Sequence, residues 1–236
     1  MKKMPLMFIM LLVFLTLIAP KVTVKSENLT LTYIEYPLTV VETTAKIIYD
    51  TQRGIKYLNL TNEYTIKSCP RGMVYDASRN LIFVCIKPLA LEGNSGVGEL
   101  NLTSGKFKFY MFPEYVADVL RRPCPESITL DCYNNLWVFI ADYWIDPFQD
   151  YALAKIDYEN CKVRFYSVPI PNNYIYYGKF HNGLLWFSTD EYLVALNVSD
   201  DTIVGMYYAY YYNPFCGPIY CEGNYIWISL GRRLFV

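Results

Sequence analysis

The chain has 236 residues, 53% of them apolar and 18% charged, enough for one sizeable core and too greasy for a disordered chain. Its 21 basic and 22 acidic side chains nearly cancel and form no basic stripe, which argues against nucleic acid as a partner. One histidine and seven cysteines without a Cys-x-x-Cys pair argue against a zinc centre, whereas 24 tyrosines favour half-buried sheet.

At the start of the chain, Met1-Lys2-Lys3 is a positive segment and Leu6 to Ala19 is an apolar run of 14 residues. Val24-Lys25-Ser26 then places compact residues at −3 and −1 of a cut. Residues 1–26 therefore read as a secretory signal, leaving 27–236 as the folded domain. The run is short for a membrane span, and Pro20-Lys21 is a poor junction for cleavage, so an uncleaved anchor through residues 6–19 is the alternative. Loss of Lys2, Lys3, Lys21 and Lys25 would leave 17 basic against 22 acidic groups, a net charge near −5. Either reading puts the domain outside the cell or on its surface. Sequons at Asn28, Asn59, Asn101 and Asn197 agree with that location, although Asn-x-Thr/Ser is also ordinary turn composition.

The segment Thr32 to Leu38 reads as a strand without a blade of its own. Lys56 to Thr61 and Glu63 to Lys67 match the last two strands of an abbreviated unit over residues 37–68. Full units follow over 69–112, 124–169 and 176–208, and a fourth, from 216, lacks its outer strand. Each pairs a polar turn with a short apolar strand: Arg79-Asn80-Leu81-Ile82-Phe83, Asn134-Asn135-Leu136-Trp137-Val138, Asn182-Gly183-Leu184-Leu185-Trp186-Phe187 and Asn224-Tyr225-Ile226-Trp227-Ile228. Aligned on Ile82, Trp137, Trp186 and Trp227, the repeats lie 55, 49 and 41 residues apart. Such spacing predicts an all-β β-propeller of four-stranded blades. Five blades are expected, with Thr32–Leu38 pairing against the last blade to close the ring and hide both sheet edges. Four blades, or an open assembly whose spare strand completes a neighbour, are the alternatives.

These turn-and-strand repeats resemble those of the streptogramin-lyase type of propeller, whose blades carry Gly-Asn-Leu-Trp-Phe-Thr. Asn134-Asn135-Leu136-Trp137 and Leu184-Leu185-Trp186-Phe187-Ser188-Thr189 are the nearest matches, and Pro37, Pro113 and Pro169 resemble that family's proline after the outer strand. The resemblance covers about residues 30–236 and implies the fold. In the lyase a histidine acts beside carboxylate-bound magnesium. Here the lone His181 falls in a hairpin turn on the opposite face, so no catalytic residue is carried over.

Function on a propeller resides in the loops after the second and fourth strands. Tyr143, Trp144, Phe148 and Tyr151 crowd one such loop, and Tyr174, Tyr176, Tyr177, Tyr210, Tyr211 and Tyr212 occupy two others. Flat rings with polar tips suit a glycan or a protein surface, so a non-catalytic recognition protein is expected. Trp137, Trp186 and Trp227 are expected to pack between blades. No cofactor is required, but Asp142, Asp146 and Asp150 could gather around calcium or magnesium. The rival function is a divalent-metal lyase or hydrolase using those aspartates with Glu92 or Asp118, and a third is an anchored structural subunit. The cysteines read as disulfide partners, with Cys69–Cys85 and Cys132–Cys161 the expected pairs.

Overall fold

In a computed structural model the described residues are 22–25, 29–50, 55–60, 68–88, 94–116, 120–121, 123–140, 152–170, 175, 177–189, 192–209, 218–230 and 233–235. All regular structure among them is β. In chain order the strands are β1 (Val22–Lys25), β2 (Leu29–Thr30), β3 (Thr32–Pro37), β4 (Thr39–Asp50) and β5 (Ile55–Leu60). The first repeat follows as β6 (Ser68–Asp76), β7 (Leu81–Pro88), β8 (Gly96–Asn101) and β9 (Lys106–Met111), and a small hairpin, β10 (Tyr115–Val116) with β11 (Leu120–Arg121), leads out of it. The second repeat is β12 (Pro125–Leu130), β13 (Leu136–Ile140), β14 (Leu153–Asp157) and β15 (Lys162–Ser167). The third is β16 (Tyr177–His181), β17 (Leu184–Ser188), β18 (Tyr192–Asn197) and β19 (Thr202–Ala209), and the fourth is β20 (Ile219–Glu222), β21 (Tyr225–Leu230) and β22 (Arg233–Phe235).

Each repeat is an antiparallel meander, and the first strands β6, β12, β16 and β20 lie beside one another in series. That is the inner rim of a propeller-like array of sheets. Close approach there demands glycine. A Cβ on Gly72 would lie 2.8 Å from the Cα of Ser127 in β12, and one on Gly178 would lie 1.9 Å from the Phe139 ring. The core sits in the seams between sheets. Leu81, Phe83, Cys85 and Val97 of the first sheet meet Leu136, Val138, Ile140 and Phe165 of the second. Trp137, Phe139, Leu153 and Tyr166 from the other face of the second sheet meet Leu185, Phe187 and Val194 of the third. Alternation along β13 therefore feeds both seams, as the two-residue period of a strand requires.

The N-terminal segment does not close the last sheet. The described residues between Val22 and Thr44 form a belt along the outer edges of three sheets, taken in reverse order. β1 and β2 pair with β19, β3 pairs with β15, and Thr39–Thr44 of β4 pair with β9. Tyr33 and Tyr36 lie opposite Tyr166 and Val163, whereas Leu234 and Phe235 pair with Ser229 and Ile228 of β21. The expected unit over residues 37–68 is likewise absent as a separate blade among the described residues. β4 extends past β9, and its second half forms a hairpin with β5 instead. An outer strand with a bare edge is a template for any strand within reach, and the belt supplies one.

Where the belt passes from one sheet to the next it drops a leucine into the seam. Leu31 and Leu38 are both buried, at 4% and 7% exposure, and join the two inter-sheet cores. The Leu31 amide donates to the Asp201 carbonyl over 2.9 Å and the Leu38 amide to the Cys161 carbonyl over 2.7 Å. Cys161 and Asp201, with φ of 52° and 54°, hold the left-handed position that Gly105 holds in the first repeat. These equivalent turns therefore present equivalent carbonyls to the belt.

The hairpins explain the polar turn signatures. Buried Asp131 accepts from the Tyr133 and Asn135 amides, from Asn135 Nδ2, and from Trp137 Nε1 at 2.9 Å. Asp76 does the same work in the first repeat, accepting from Ser78 and Arg79. Burial pushes its carboxyl up, but the Ser78 and Arg79 hydrogen bonds outweigh that and hold it below the ordinary aspartate value.

Register corrects one equivalence. Glu99, Lys155 and Ala195 occupy matching places two residues before Asn101, Asp157 and Asn197, and they lie opposite Phe83, Trp137 and Trp186. Phe83, not Ile82, is thus the counterpart of the tryptophans. Ile82 points to the far face of the first sheet, beside Ile86 and Phe107.

Neither expected disulfide forms. Cys85, Cys132 and Cys161 all carry free thiols, as do Cys124 and Cys221. Cys69 lies opposite Lys87 rather than Cys85, with a bulge between. Cys132 and Cys161 sit in hairpins two strand spacings apart, roughly 10 Å, which exceeds the reach of a disulfide.

Candidate functional site

One end of the array carries the loops after the second and fourth strands, and the other carries tight hairpins. At the loop-bearing end, where the first two sheets meet near the inner rim, three charged side chains converge. Arg71 and Lys87 come from the start of β6 and the end of β7, and Glu126 from the start of β12. Lys87 Nζ forms a short ion pair with Glu126 Oε1, and Arg71 Nε lies 3.4 Å from Glu126 Oε2. The Lys87 side chain is only 10% exposed, whereas that of Arg71 is 48% exposed. A bulge between Pro70 and Met73 turns the strand at this point, and Gly72 brings it against the β12 backbone, which is what lets Arg71 share a carboxylate with its neighbour.

Of the two cations at Glu126, the half-exposed Arg71 guanidinium is the one placed to meet an anion from solvent. A guanidinium offers five donors, of which the contact to Glu126 engages one nitrogen. Carboxylate, sulfate or phosphate groups are the partners it suits. Cys85 lies beneath the cluster. Burial first, and the Glu126 charge second, push its thiol well above the ordinary range, so it stays protonated and is a poor nucleophile.

The loops that should carry ligand contacts fall largely outside the described residues. Tyr143, Trp144, Phe148, Tyr151, Tyr174, Tyr176, Tyr210, Tyr211 and Tyr212 lie there, as do Asp142, Asp146, Asp150, Glu92 and Asp118. Among the described residues no three His, Cys, Asp or Glu side chains come together as a metal site. Across the exit of β17, Thr189 donates its amide to the Tyr192 carbonyl and accepts from the Tyr192 amide at its hydroxyl. Tyr177 is exposed at the start of β16.

His181 ends β16 at the hairpin-bearing end, as its place in the sequence implies. Its Nε2 lies 2.7 Å from the Gly223 carbonyl of the fourth repeat, and Asn182 Nδ2 donates to the same oxygen over 3.1 Å. The imidazole is an inter-sheet clasp. Trp137 is buried in a seam, as expected of it, and Trp186 stacks against Tyr207 with ring centroids 5.9 Å apart. Of the sequons, Asn28 lies outside the described residues, and Asn59 belongs to β5. Asn101 and Asn197 hold matching hairpins, where Oδ1 accepts the amides of Thr103 and Ser104 in one and of Ser199 in the other. Those hydrogen bonds give the two asparagines a structural task that Asp157 performs in the second repeat.

The charged cluster was not singled out from the sequence. A signal was present, since Cys69-Pro70-Arg71 and Cys124-Pro125-Glu126 occupy matching places and differ in charge at the third position. What no linear reading gives is that these places face each other across a seam.

No family model matches the chain, and no curated protein matches its sequence. Solved structures do match its shape. A gluconolactonase from Xanthomonas campestris superposes with a TM-score of 0.54 at 11% identity, over 80% of this chain and 63% of its own length. The chain therefore spans less than two thirds of that enzyme. The fold is propeller-like. The extracellular domain of a two-component system from B. thetaiotaomicron gives a TM-score of 0.50 at 15% identity, over 75% of this chain and 22% of that one. At such identities the agreement concerns architecture alone.

Proposed function

We propose that this array of sheets is an extracellular or surface-held recognition domain that takes an acidic group, on a glycan or a protein, at Arg71. The observation that carries the reading is the half-exposed Arg71 guanidinium sharing Glu126 with the buried Lys87 ammonium at the loop-bearing mouth. Glu126 meets Arg71 at Nε, so the two terminal nitrogens of the fork are the donors for an incoming anion. The aromatic loops over residues 143–151, 174–177 and 210–212 would then supply flat walls for the rest of the ligand. Asp142, Asp146 and Asp150 belong to the same proposal as an accessory calcium site. The recognition unit is the four repeats together with their belt.

The test is a glycan array of acidic and neutral oligosaccharides, with and without calcium. Acidic members are expected to bind, and Arg71→Ala to weaken them by roughly ten- to a hundredfold, the worth of a charge-assisted hydrogen bond. Arg71→Lys should retain part of the affinity, because charge survives and the planar fork does not. Arg71 is a surface partner of Glu126, so melting temperature should hardly move. Equal binding of acidic members by Arg71→Ala and the parent would defeat the proposal. So would metal-dependent turnover of a lactone or cyclic ester without any acidic binder, which would establish the rival lyase or hydrolase.

A further inference from the structure

We infer that the chain keeps its apolar N-terminal segment and is held by it at a lipid membrane, because the residues a signal cut would remove are a strand of the fold. The argument rests on strand pairing and not on the identity of the loop-face ligand. β1 pairs in continuous register with β19: Val22 with Ala209, Thr23 with Tyr208, Val24 with Tyr207 and Lys25 with Met206. β2 resumes on the same strand, Leu29 with Ile203 and Thr30 with Thr202. The compact-residue cut after Ser26 would fall between these two strands, stripping β1 and leaving β2 in place.

Its removal would uncover the β19 edge from Met206 to Ala209. That stretch is apolar and aromatic, and a bare edge of such composition recruits other chains. A cut that spares β1 must come earlier. The position after Ala19 places Leu17 at −3 and Pro20 at +1, against the small-x-small pattern that signal removal requires. Neither cut is compatible with both the fold and the cleavage chemistry.

Retention also has a geometry. Only Pro20 and Lys21 separate the apolar run from Val22, a reach of about 10 Å. Val22 lies opposite Ala209, at the end of β19 from which a loop leaves. The tether thus departs from the loop-bearing end of the third repeat, and the Asn101 and Asn197 hairpins lie at the opposite end. Lys2 and Lys3 on one side of the run and Lys21 on the other can lay their stems in the bilayer and their ammonium groups among headgroups, which suits a short apolar stretch.

The full chain should be expressed in a host with an export pathway, its membranes washed with alkaline carbonate, and the protein's intact mass measured. The expected result is retention in the membrane pellet with residues 1–21 still attached. Two soluble versions, beginning at Val22 and at Glu27, separate the structural half of the argument from the membrane half. The Glu27 version should melt several degrees lower and aggregate sooner. Recovery of a soluble product, whatever its N-terminus, would overturn the tether. Equal melting temperatures and solubilities for the Val22 and Glu27 versions would overturn the role of β1.

Discussion

Gly178 shows how a single atom sets the spacing of two sheets. A Cβ there would lie within 1.9 Å of one Phe139 ring carbon and 2.3 Å of another, so any side chain at 178 must displace a fully buried ring. Gly178→Ala is expected to cost about 1–3 kcal/mol, the usual penalty of overpacking. Adding Phe139→Leu should cost less than it does alone, because the two positions share one space. Denaturant melts of the four proteins of the cycle measure that coupling, and strict additivity would rule the contact out. Residues of this kind were poorly legible in advance. Trp137 and its repeat mates announced themselves by size and period, and Trp137 is fully buried while Trp186 and Trp227 are half-buried. Gly178 and Gly72 carry no side chain to read, and their meaning comes entirely from the partner across a seam. Phe83 was hidden for a related reason: Ile82 stands at the right count from the turn, yet a loop of different length shifts the pairing by one and sends it to the other face.

At the scale of elements, the belt strand β3 is pinned from the side by ions as well as by its ladder. Glu35 accepts from Lys162 Nζ at 2.7 Å and from Arg164 Nε at 2.8 Å. The hydrogen bond from Lys162 first, and that from Arg164 second, hold its carboxyl below the ordinary glutamate value. A depressed carboxylate adds stability above its unfolded value, near 4.3, and the contribution is lost as pH falls below it. The groups are largely solvated, so the effect is modest. Glu35→Gln should therefore be less stable than the parent at pH 7 and converge with it in acid, measured by chemical melts across that range. A constant difference at all pH values would show that the ion pairs are idle. The sequence made β3 visible as a strand, through Thr32-Tyr33-Ile34-Glu35-Tyr36, but gave no means of choosing its partner. Val163, Leu234 and any other apolar edge look alike in composition. Only distance in three dimensions decides, and the outer strand of the second repeat proved nearer than the last sheet.

For the whole molecule, the seams between sheets carry stability, and two tyrosines report on them. Tyr166 donates from the second repeat to Asp201 Oδ2 of the third over 2.8 Å, and Tyr110 donates to Glu99 Oε2 over 2.7 Å. Burial pushes both phenols far above their ordinary value, with the adjoining carboxylate second in each case. A raised phenol contributes fully below the unfolded tyrosine value of about 10, and the contribution drains away as pH rises beyond it. Alkaline titration should accordingly show a delayed group, Tyr110 and Tyr166, that ionises only as the seams between the sheets come apart. Tyrosinate absorbance followed beside circular dichroism measures this. A single smooth titration with the fold intact would contradict the sealed seams.

The backward course of the belt also dictates a timetable. β9, β15 and β19 leave the ribosome in that order, whereas the strands that cover them are β4, β3 and then β2 with β1. The opening residues of the protein can therefore lock down only after almost everything behind them has been synthesised, zipping from Thr44 back toward Val22. Until that last stitch the leading end is the loosest part of a nascent chain, and a delay in translation near residue 209 would leave it there longest.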